Sequence, residues 1–482
     1  MNKKLIKLFG FLILLFFLPL NKAFPQSSLS TETQVCLSCH KIVTPGIVED
    51  WKKSLHSQIT LKEALKKDTL SRKVNLGSNS IKNENTVIGC AECHTINPEF
   101  HKDTFDHNGF KVHIVVSPKD CAICHLKEVE EYNKNLMSKA YVNLKENSLY
   151  DKLIKSSLET SPNNLSENDA CLACHGTKVE VKGEITRNTQ LGEMKFPSLS
   201  GWVNNGVGRI NPDDSKGACT PCHPRHSFSI EIARKPYTCS QCHKGPDVPA
   251  YKVYSVSKHG NIFFSKHTEM NFTNTPWKIG EDFKVPTCAV CHISLIVDNN
   301  ENVIVERTHQ MNDRLSWRIF GLIYAHPHPK DSDTSKIKNK AGLNLPTELT
   351  GELVKEALIN EEEMKKRENK MKGICLSCHT TSWVENFFTK FYNTIKTTNE
   401  QTLEATKILL FAWERGITDA SNPFDEAIEK MWVEQWLFYA NSVRFAGAMG
   451  GADYGVFENG RWYLNKNIQN MKDWLLFLLN SK

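Results

Sequence analysis

Hydrophobic positions change their spacing twice along the chain. Phe9 to Leu20 is an almost unbroken apolar run. It follows Lys3, Lys4 and Lys7 and leads into Asn21-Lys22-Ala23. A basic start, a short apolar stretch and a small-residue end predict a signal peptide over residues 1–23. The run is short for a comfortable membrane span. From 24 to 380 the apolar positions come in brief amphipathic runs, which predict short helices such as Ile59 to Leu65 and Ser148 to Leu158, separated by loops. Lys330 to Pro346 is polar and lysine-rich and predicts an exposed connection. After 380 the pattern lengthens. Val384, Phe387, Phe388, Phe391, Tyr392 and Ile395 follow i, i+3, i+4, i+7, i+8, i+11, one stripe of a long helix. Asn422-Pro423 precedes a second, carrying Ile428, Met431, Trp432, Trp436, Tyr439 and Val443 and stopping at the glycines of Ala446 to Gly451. The expected architecture is mainly α, with residues 381–482 as a helical C-terminal domain. Its aromatic faces are wider than one helix contact needs, which predicts self-association.

Composition narrows the class. At 40% hydrophobic and 24% charged residues, the 482-residue chain is neither disordered nor a polytopic membrane protein. The formal charge of +6 falls to about +2 without the four lysines of the signal segment. Nothing in that balance favours nucleic acid as a partner.

The 16 cysteines decide the chemistry. Each belongs to a Cys-x-x-Cys-His motif. In chain order the motifs are Cys36, Cys39 and His40; Cys90, Cys93 and His94; Cys121, Cys124 and His125; and Cys171, Cys174 and His175. They continue with Cys219, Cys222 and His223; Cys239, Cys242 and His243; Cys288, Cys291 and His292; and Cys375, Cys378 and His379. Two thiols at this spacing form thioethers to the vinyl groups of one haem, and the adjacent histidine becomes an axial ligand of its iron. Zinc ribbons or redox dithiols would not require a histidine after every second cysteine. The expectation is a c-type cytochrome with eight covalent haems over residues 24–380, the haems packing on one another because too few residues serve each site for separate polypeptide cores. Such haem is attached outside the cytoplasm, which agrees with export to a periplasm or equivalent compartment.

Ten histidines lie outside the motifs. A haem that only passes electrons is closed by a second axial side chain, whereas a reacting haem keeps one position open. His56, His226 and His259 are the foremost distal candidates, followed by His107, His113 and His309. His101, His267, His326 and His328 are read as ordinary surface or hydrogen-bonded histidines.

Eight such motifs followed by long C-terminal helices resemble the octahaem hydroxylamine oxidoreductases. The resemblance covers essentially the whole mature chain. It extends to Gly206-Val207-Gly208-Arg209-Ile210-Asn211-Pro212-Asp213, Cys219 to His226, Lys235-Pro236, Gly245-Pro246-Asp247, Pro286-Thr287-Cys288, and Thr308-His309 leading to Arg314-Leu315-Ser316-Trp317. It implies catalysis at the fourth haem, held by Cys171, Cys174 and His175, on a small inorganic nitrogen substrate such as hydroxylamine or hydrazine, or nitrite or nitric oxide in reverse. It also implies an Asp-His pair over the open face, a homotrimer, and a redox partner that is a cytochrome or a quinone-linked complex. Tyr454 stands where oxidising members carry a tyrosine cross-linked to a neighbouring subunit's haem. Asp247 matches the aspartate, but Val248 replaces the histidine, and Lys139 also stands where relatives often have histidine. No Cys-x-x-Cys-Lys motif is present, unlike octahaem nitrite and tetrathionate reductases. A non-catalytic electron-transfer or scaffold subunit derived from the enzyme is the alternative.

Overall fold

A computed structural model describes residues 28–75, 84–158, 167–189 and 191–480. The expected signal segment, residues 1–23, lies outside them. The fold is mainly helical, with small two- and three-stranded sheets between the helices. No helix among the described residues is long and apolar enough to cross a membrane.

Several motifs occupy a single helical turn, as in Ala91–His94, Cys171–His175 and Cys288–His292. One turn brings residues i and i+3 to the same face, so it aims both thiols of a motif one way and sets the histidine beside them. The first motif uses the same device inside a longer helix, Thr31–Val43, which carries Cys36, Cys39 and His40 in its second half. Cys121 sits in the first turn of Pro118–Asn133, where Ser117 and Asp120 form a capping box and His125 breaks the helical geometry. The helix Ser148–Leu158 matches the expected segment, and Leu61–Leu65 starts two residues late behind its Thr60 cap.

The sequence reading missed two antiparallel hairpins. One pairs Thr104–His107 with Phe110–His113, and a longer one pairs Glu180–Thr189 with Gly192–Ser200. Residues 330–346 depart from expectation in part: Lys330, Lys336, Lys338 and Lys340 are exposed, but side chains between them are buried. Thr334, Asn344 and Leu345 are buried, Asn344 Nδ2 donates to the Ser335 carbonyl, and Asn147 Nδ2 donates to that of Asn344. The buried polar side chains of this segment satisfy its own turns.

The first C-terminal helix runs Thr381–Glu414 and buries Val384, Phe388 and Ile395 of the expected stripe. The second is interrupted: Ala427–Val433 and Ala440–Met449 flank a π-helical stretch, Glu434–Tyr439, and Gly450 ends it at φ +75°. Ile428, Trp432, Trp436 and Val443 are buried as their spacing predicts. A third helix, Arg461–Asn480, adds Leu464 and Met471 to the interior. The apolar core formed by Leu409, Ile428, Trp432, Trp436 and Met471 also takes in Leu149, Leu322, Ile323 and Tyr324. The long helices therefore share one core with the motif-bearing region.

Candidate functional site

A ligating histidine has one ring nitrogen fixed by a hydrogen bond and offers the other to the metal. His94 Nδ1 donates to the His113 carbonyl at 2.9 Å and His125 Nδ1 to that of Lys73 at 3.0 Å, while His40 Nδ1 lies 2.8 Å from Thr44 Oγ1. In all three, Nε2 is the nitrogen left over.

Ring spacing tests whether haem fits. A metal–imidazole bond is about 2.0–2.1 Å and a ring nitrogen about 1.1–1.2 Å from its centroid, so two rings on one iron stand about 6.2–6.6 Å apart. Five pairs meet or closely approach that figure: His40–His107 at 6.1 Å, His56–His125 at 6.2 Å, His94–His226 at 6.4 Å, His223–His309 at 6.4 Å and His259–His379 at 6.1 Å. Each joins one motif histidine to one outside the motifs. Burial holds His56, His223, His226 and His309 down to about 4, so they are neutral at pH 7, as metal binding requires. These side chains fit bis-histidine haem iron. Among the described residues, no second imidazole stands at this spacing from His175, His243 or His292.

The fourth motif is held from behind by the segment Gly206 to Ile210. Val207 and Gly208 donate backbone N–H groups to the carbonyls of Cys174 and His175 at 3.0 and 3.1 Å. A Cβ on Gly208 would meet the Ala140 nitrogen at 2.5 Å, so only glycine permits this approach. Burial lowers the His175 imidazole, with Asp247 opposing and Arg318 adding to that effect. The Asp247 charge also reaches Cys171 and Cys174 of the same motif, and His243 of the sixth. Asn441, buried on the second C-terminal helix, donates its Nδ2 to the Asp247 carbonyl at 2.8 Å and so fixes this loop.

The motif thiols define neighbours. Cys121 and Cys219 interact directly, as do Cys174 and Cys242, and Cys239 and Cys288. Cys90 lies in the field of Cys36, Cys93 in that of Cys124, Cys222 in that of Cys239, and Cys291 in that of Cys375. The motifs thus run one, two, three, five, six, seven, eight, and the fourth contacts this row at the sixth.

Exposure does not follow place in the row: Cys242 of the sixth motif and Cys378 of the eighth are exposed, and the other motif cysteines are half-buried. The Sγ of Cys39 lies 3.7 Å from the hydroxyl of its chain neighbour Ser38.

Comparison with known proteins gives the same chemistry. Residues 206–315 match the family described as "Seven times multi-haem cytochrome CxxCH", and residues 35–112 and 120–195 match "Cytochrome c554 and c-prime". A solved structure titled "Hypothetical multiheme protein" is 43% identical, covers 94% of this chain and 97% of its own, and superposes with a TM-score of 0.89. The reducing HAO-like protein complex of Kuenenia stuttgartiensis shares the fold at 17% identity and a TM-score of 0.63, covering 93% of this chain and 86% of its own. A probable nitrite reductase-hydroxylamine oxidoreductase fusion protein of the same organism is 25% identical over 363 residues, 72% of this chain. The chain spans about a third of that protein's length (34%). The chain belongs to the multihaem cytochromes c.

In this multihaem cytochrome the remaining expected residues are placed unequally. His113 is placed apart from these five pairs: its ring lies 6.0 Å from that of His94, which His226 also faces at 6.4 Å. Its Nε2 lies 3.0 Å from the Ile96 carbonyl, and its ring stacks on His101 at 3.7 Å and 9°. His101 is itself no surface histidine. It is 4% exposed, its Nε2 3.2 Å from Asp120 and its Nδ1 3.4 Å from Asp103. Burial alone would lower His101, but the bonds to Asp103 and Asp120 carry it up to about 9.

Tyr454, which the resemblance offers for a cross-link, is 8% exposed and packs in its own chain with Val253, Phe445 and Ala446, a cluster that Val248 also joins.

His326 and His328 were read as ordinary histidines, yet both are buried. His326 Nδ1 lies 2.6 Å from the Pro327 carbonyl while its Nε2 has no partner, and neither ring nitrogen of His328 has one. Burial pushes His326 down to about 3. The signal in the sequence was the alternation His326-Pro327-His328-Pro329, which stiffens the backbone on both sides of each ring.

Proposed function

We propose that this cytochrome carries eight covalent haems and is an oxidoreductase for a small inorganic nitrogen compound, acting at the fourth site. The observation that carries the reading is that, of the three motif histidines that no second imidazole among the described residues faces, His175 is the one whose motif thiols both lie, with it, in the field of the Asp247 carboxylate. Haem there supplies an iron with one exchangeable position and a route for electrons. The chain's own residues do the rest. Five histidine pairs close the first, second, third, fifth and eighth sites, and the buried rings of His326 and His328 are the candidates for the sixth and seventh. Asp247, with its carboxylate in no ion pair among the described residues, takes or delivers protons within reach of the substrate.

Direction follows from what flanks that acid. Val248 offers no second proton carrier, and Tyr454 is enclosed in its own chain. Both features disfavour the oxidising arrangement and support reduction of nitrite or nitric oxide over oxidation of hydroxylamine. Export to an extracytoplasmic compartment, where c-type haem is attached, and an electron donor that is a cytochrome or quinone-linked complex belong to this reading. So does a homotrimer, supported by exposed Trp462, Leu476 and Phe477 on the last helix.

Absorption and electron paramagnetic resonance spectra of the purified holoprotein, with and without nitrite or hydroxylamine, test the reading. One high-spin haem that responds to ligand, beside seven unresponsive low-spin haems, is the expected result. Eight low-spin haems would leave electron transfer as the function. Intact mass should exceed the polypeptide by roughly 5 kDa, the contribution of eight haems.

A further inference from the structure

Arg444, on the second C-terminal helix, is 0% exposed and makes no ion pair among the described residues. A guanidinium buried without an acid costs stability unless its N–H groups find good acceptors. Here those groups join three segments far apart in sequence. Nη2 donates to Asn399 Oδ1 at 2.8 Å, and Nη1 to Asn441 Oδ1 at 3.3 Å and to the Ile319 carbonyl at 3.4 Å. Arg314, also buried, differs: its acceptors are the carbonyls of Val290, Cys291, Ser294 and Glu306, all in one stretch of chain.

Both asparagines extend the network. Asn399, on the first C-terminal helix, accepts the Ala325 N–H at 3.1 Å and donates Nδ2 to the Ala325 carbonyl at 2.9 Å. That residue leads directly into His326, whose buried Nε2 has no partner. Asn441 stands one turn before Arg444 on the same helix face and donates Nδ2 to the Asp247 carbonyl at 2.8 Å. Asp247 lies in the turn that follows His243 of the sixth motif, a turn closed by the Tyr251 N–H on the His243 carbonyl at 2.8 Å. The third contact meets the same motif. Phe320, next to Ile319, has its ring 6.4 Å from that of His243 and stacks at 5.7 Å on Phe445, the chain neighbour of Arg444. His326 Nε2 is in turn 3.4 Å from where a Cβ on Gly321 would stand. Three segments beside the sixth motif therefore converge on one guanidinium.

We propose that Arg444 is the positioning residue of the sixth haem site: from the C-terminal helices it fixes both the turn after His243 and the strand that carries His326. The inference rests on His326 closing that site, and goes further in naming what orients its ring and supplies a buried charge nearby. Groups that hold a ligating histidine set its orientation and basicity. A buried cation favours the ferrous state, which carries one positive charge fewer. The helical C-terminal domain thereby acts on the haem through which the fourth motif joins the row.

Electron paramagnetic resonance and a spectroelectrochemical titration of the holoprotein test this. His243→Met and His326→Met should each alter the same low-spin signal, which marks the sixth haem. In Arg444→Gln that signal should shift its g values and its midpoint potential should fall, while the other haems keep theirs. Asn399→Ala should shift the same signal with a smaller fall in potential, because the charge remains. Arg444→Lys should recover part of the lost potential for the same reason. Should Arg444→Gln fail to assemble, Asn399→Ala and Arg444→Lys carry the comparison. Wild-type signals in these variants, a shift in some other haem, or an equal shift in every haem overturns the role of Arg444 and leaves His326 as a ligand. If His243→Met and His326→Met alter different signals, or His326→Met alters none, His326 does not close the sixth site and the inference falls with it.

Discussion

Replacing His101 by glutamine should destabilise the protein in a pH-dependent way whose size follows from its surroundings. The ring is held between Asp103 and Asp120, both almost wholly buried. Asp103 also accepts the N–H groups of Ile114 and Val115, and Asp120 that of Ser117. The folded protein raises His101 from its ordinary 6.5 to about 9. A basic group whose pKa is raised on folding contributes its full stabilisation below the unfolded value, here below pH 6.5. The contribution disappears as pH passes the folded value near 9. The difference corresponds to on the order of 3 kcal/mol. The two carboxylates are shifted the other way: burial raises them, but the bonds from His101 and neighbouring N–H groups win and lower them. Their share is present above the usual aspartate range and is lost in acid. The wild-type advantage should therefore be greatest between about pH 4.5 and 6.5 and nearly gone above pH 10. Unfolding entropy of about 2.1 cal/mol/K per residue gives a 482-residue chain about 1 kcal/mol/K. The variant should melt about 3 °C lower than wild type near pH 6, the gap closing toward pH 10. Circular dichroism melts of both holoproteins at matched scan rate across pH 5–10 measure it. A gap that is constant with pH, or that widens in alkali, would refute a charged His101.

Three further outcomes test other parts of the structure. Asp247→Asn should slow turnover roughly 10²–10⁴-fold with the low-spin haem spectrum unchanged, and Val248→His should raise hydroxylamine oxidation if a second proton carrier is what the site lacks; unchanged rates in both variants count against Asp247 as the proton group. Gly208→Ala should cost several kcal/mol or block assembly, because its Cβ would meet the Ala140 and Tyr141 nitrogens at 2.5 and 2.6 Å; a protein of wild-type melting temperature and haem content would contradict the close approach. Asn441→Ala should cost about 1–2 kcal/mol and lower kcat without removing any haem, since it frees the Asp247 loop; wild-type kinetics and stability would show that the bond does not position the acid.

Sequence pattern was strongest where a local rule acts. The Cys-x-x-Cys-His spacing is a one-turn device, and the apolar stripe from Val384 to Ile395 is a helix face. Both are legible without knowing what they pack against. How well each motif is covered is not, which is why Cys171 and Cys242 look alike in the sequence although the first is half-buried and the second exposed. Distal histidines are different again, because each meets its motif partner across distances in sequence as large as the 132 residues between His94 and His226, and only folding decides the match. His113 illustrates the limit: its sequence surroundings resemble those of His107, three strand positions away across the same hairpin, yet one faces His40 and the other stacks on His101. The burial of His326 and His328 was not legible either, because burial is not a local property. The segment 330–346 was legible in its exposed lysines and not in its buried turns, since side chains that satisfy buried turns have the same composition as those that face water.

The meeting of the fourth motif with the row of others only at the sixth makes the molecule a line with a siding. With a haem on every motif, as proposed, charge passing from the first motif toward the eighth would have a continuous route that need not visit the siding at all. Blocking the siding would stop chemistry there and leave through-conduction intact, whereas damage at the junction, Cys239 to His243, would silence both. Such a layout lets conduction outlive catalysis. A lineage could lose its reaction at the fourth motif and keep a working conductor, or regain the reaction later without rebuilding the line.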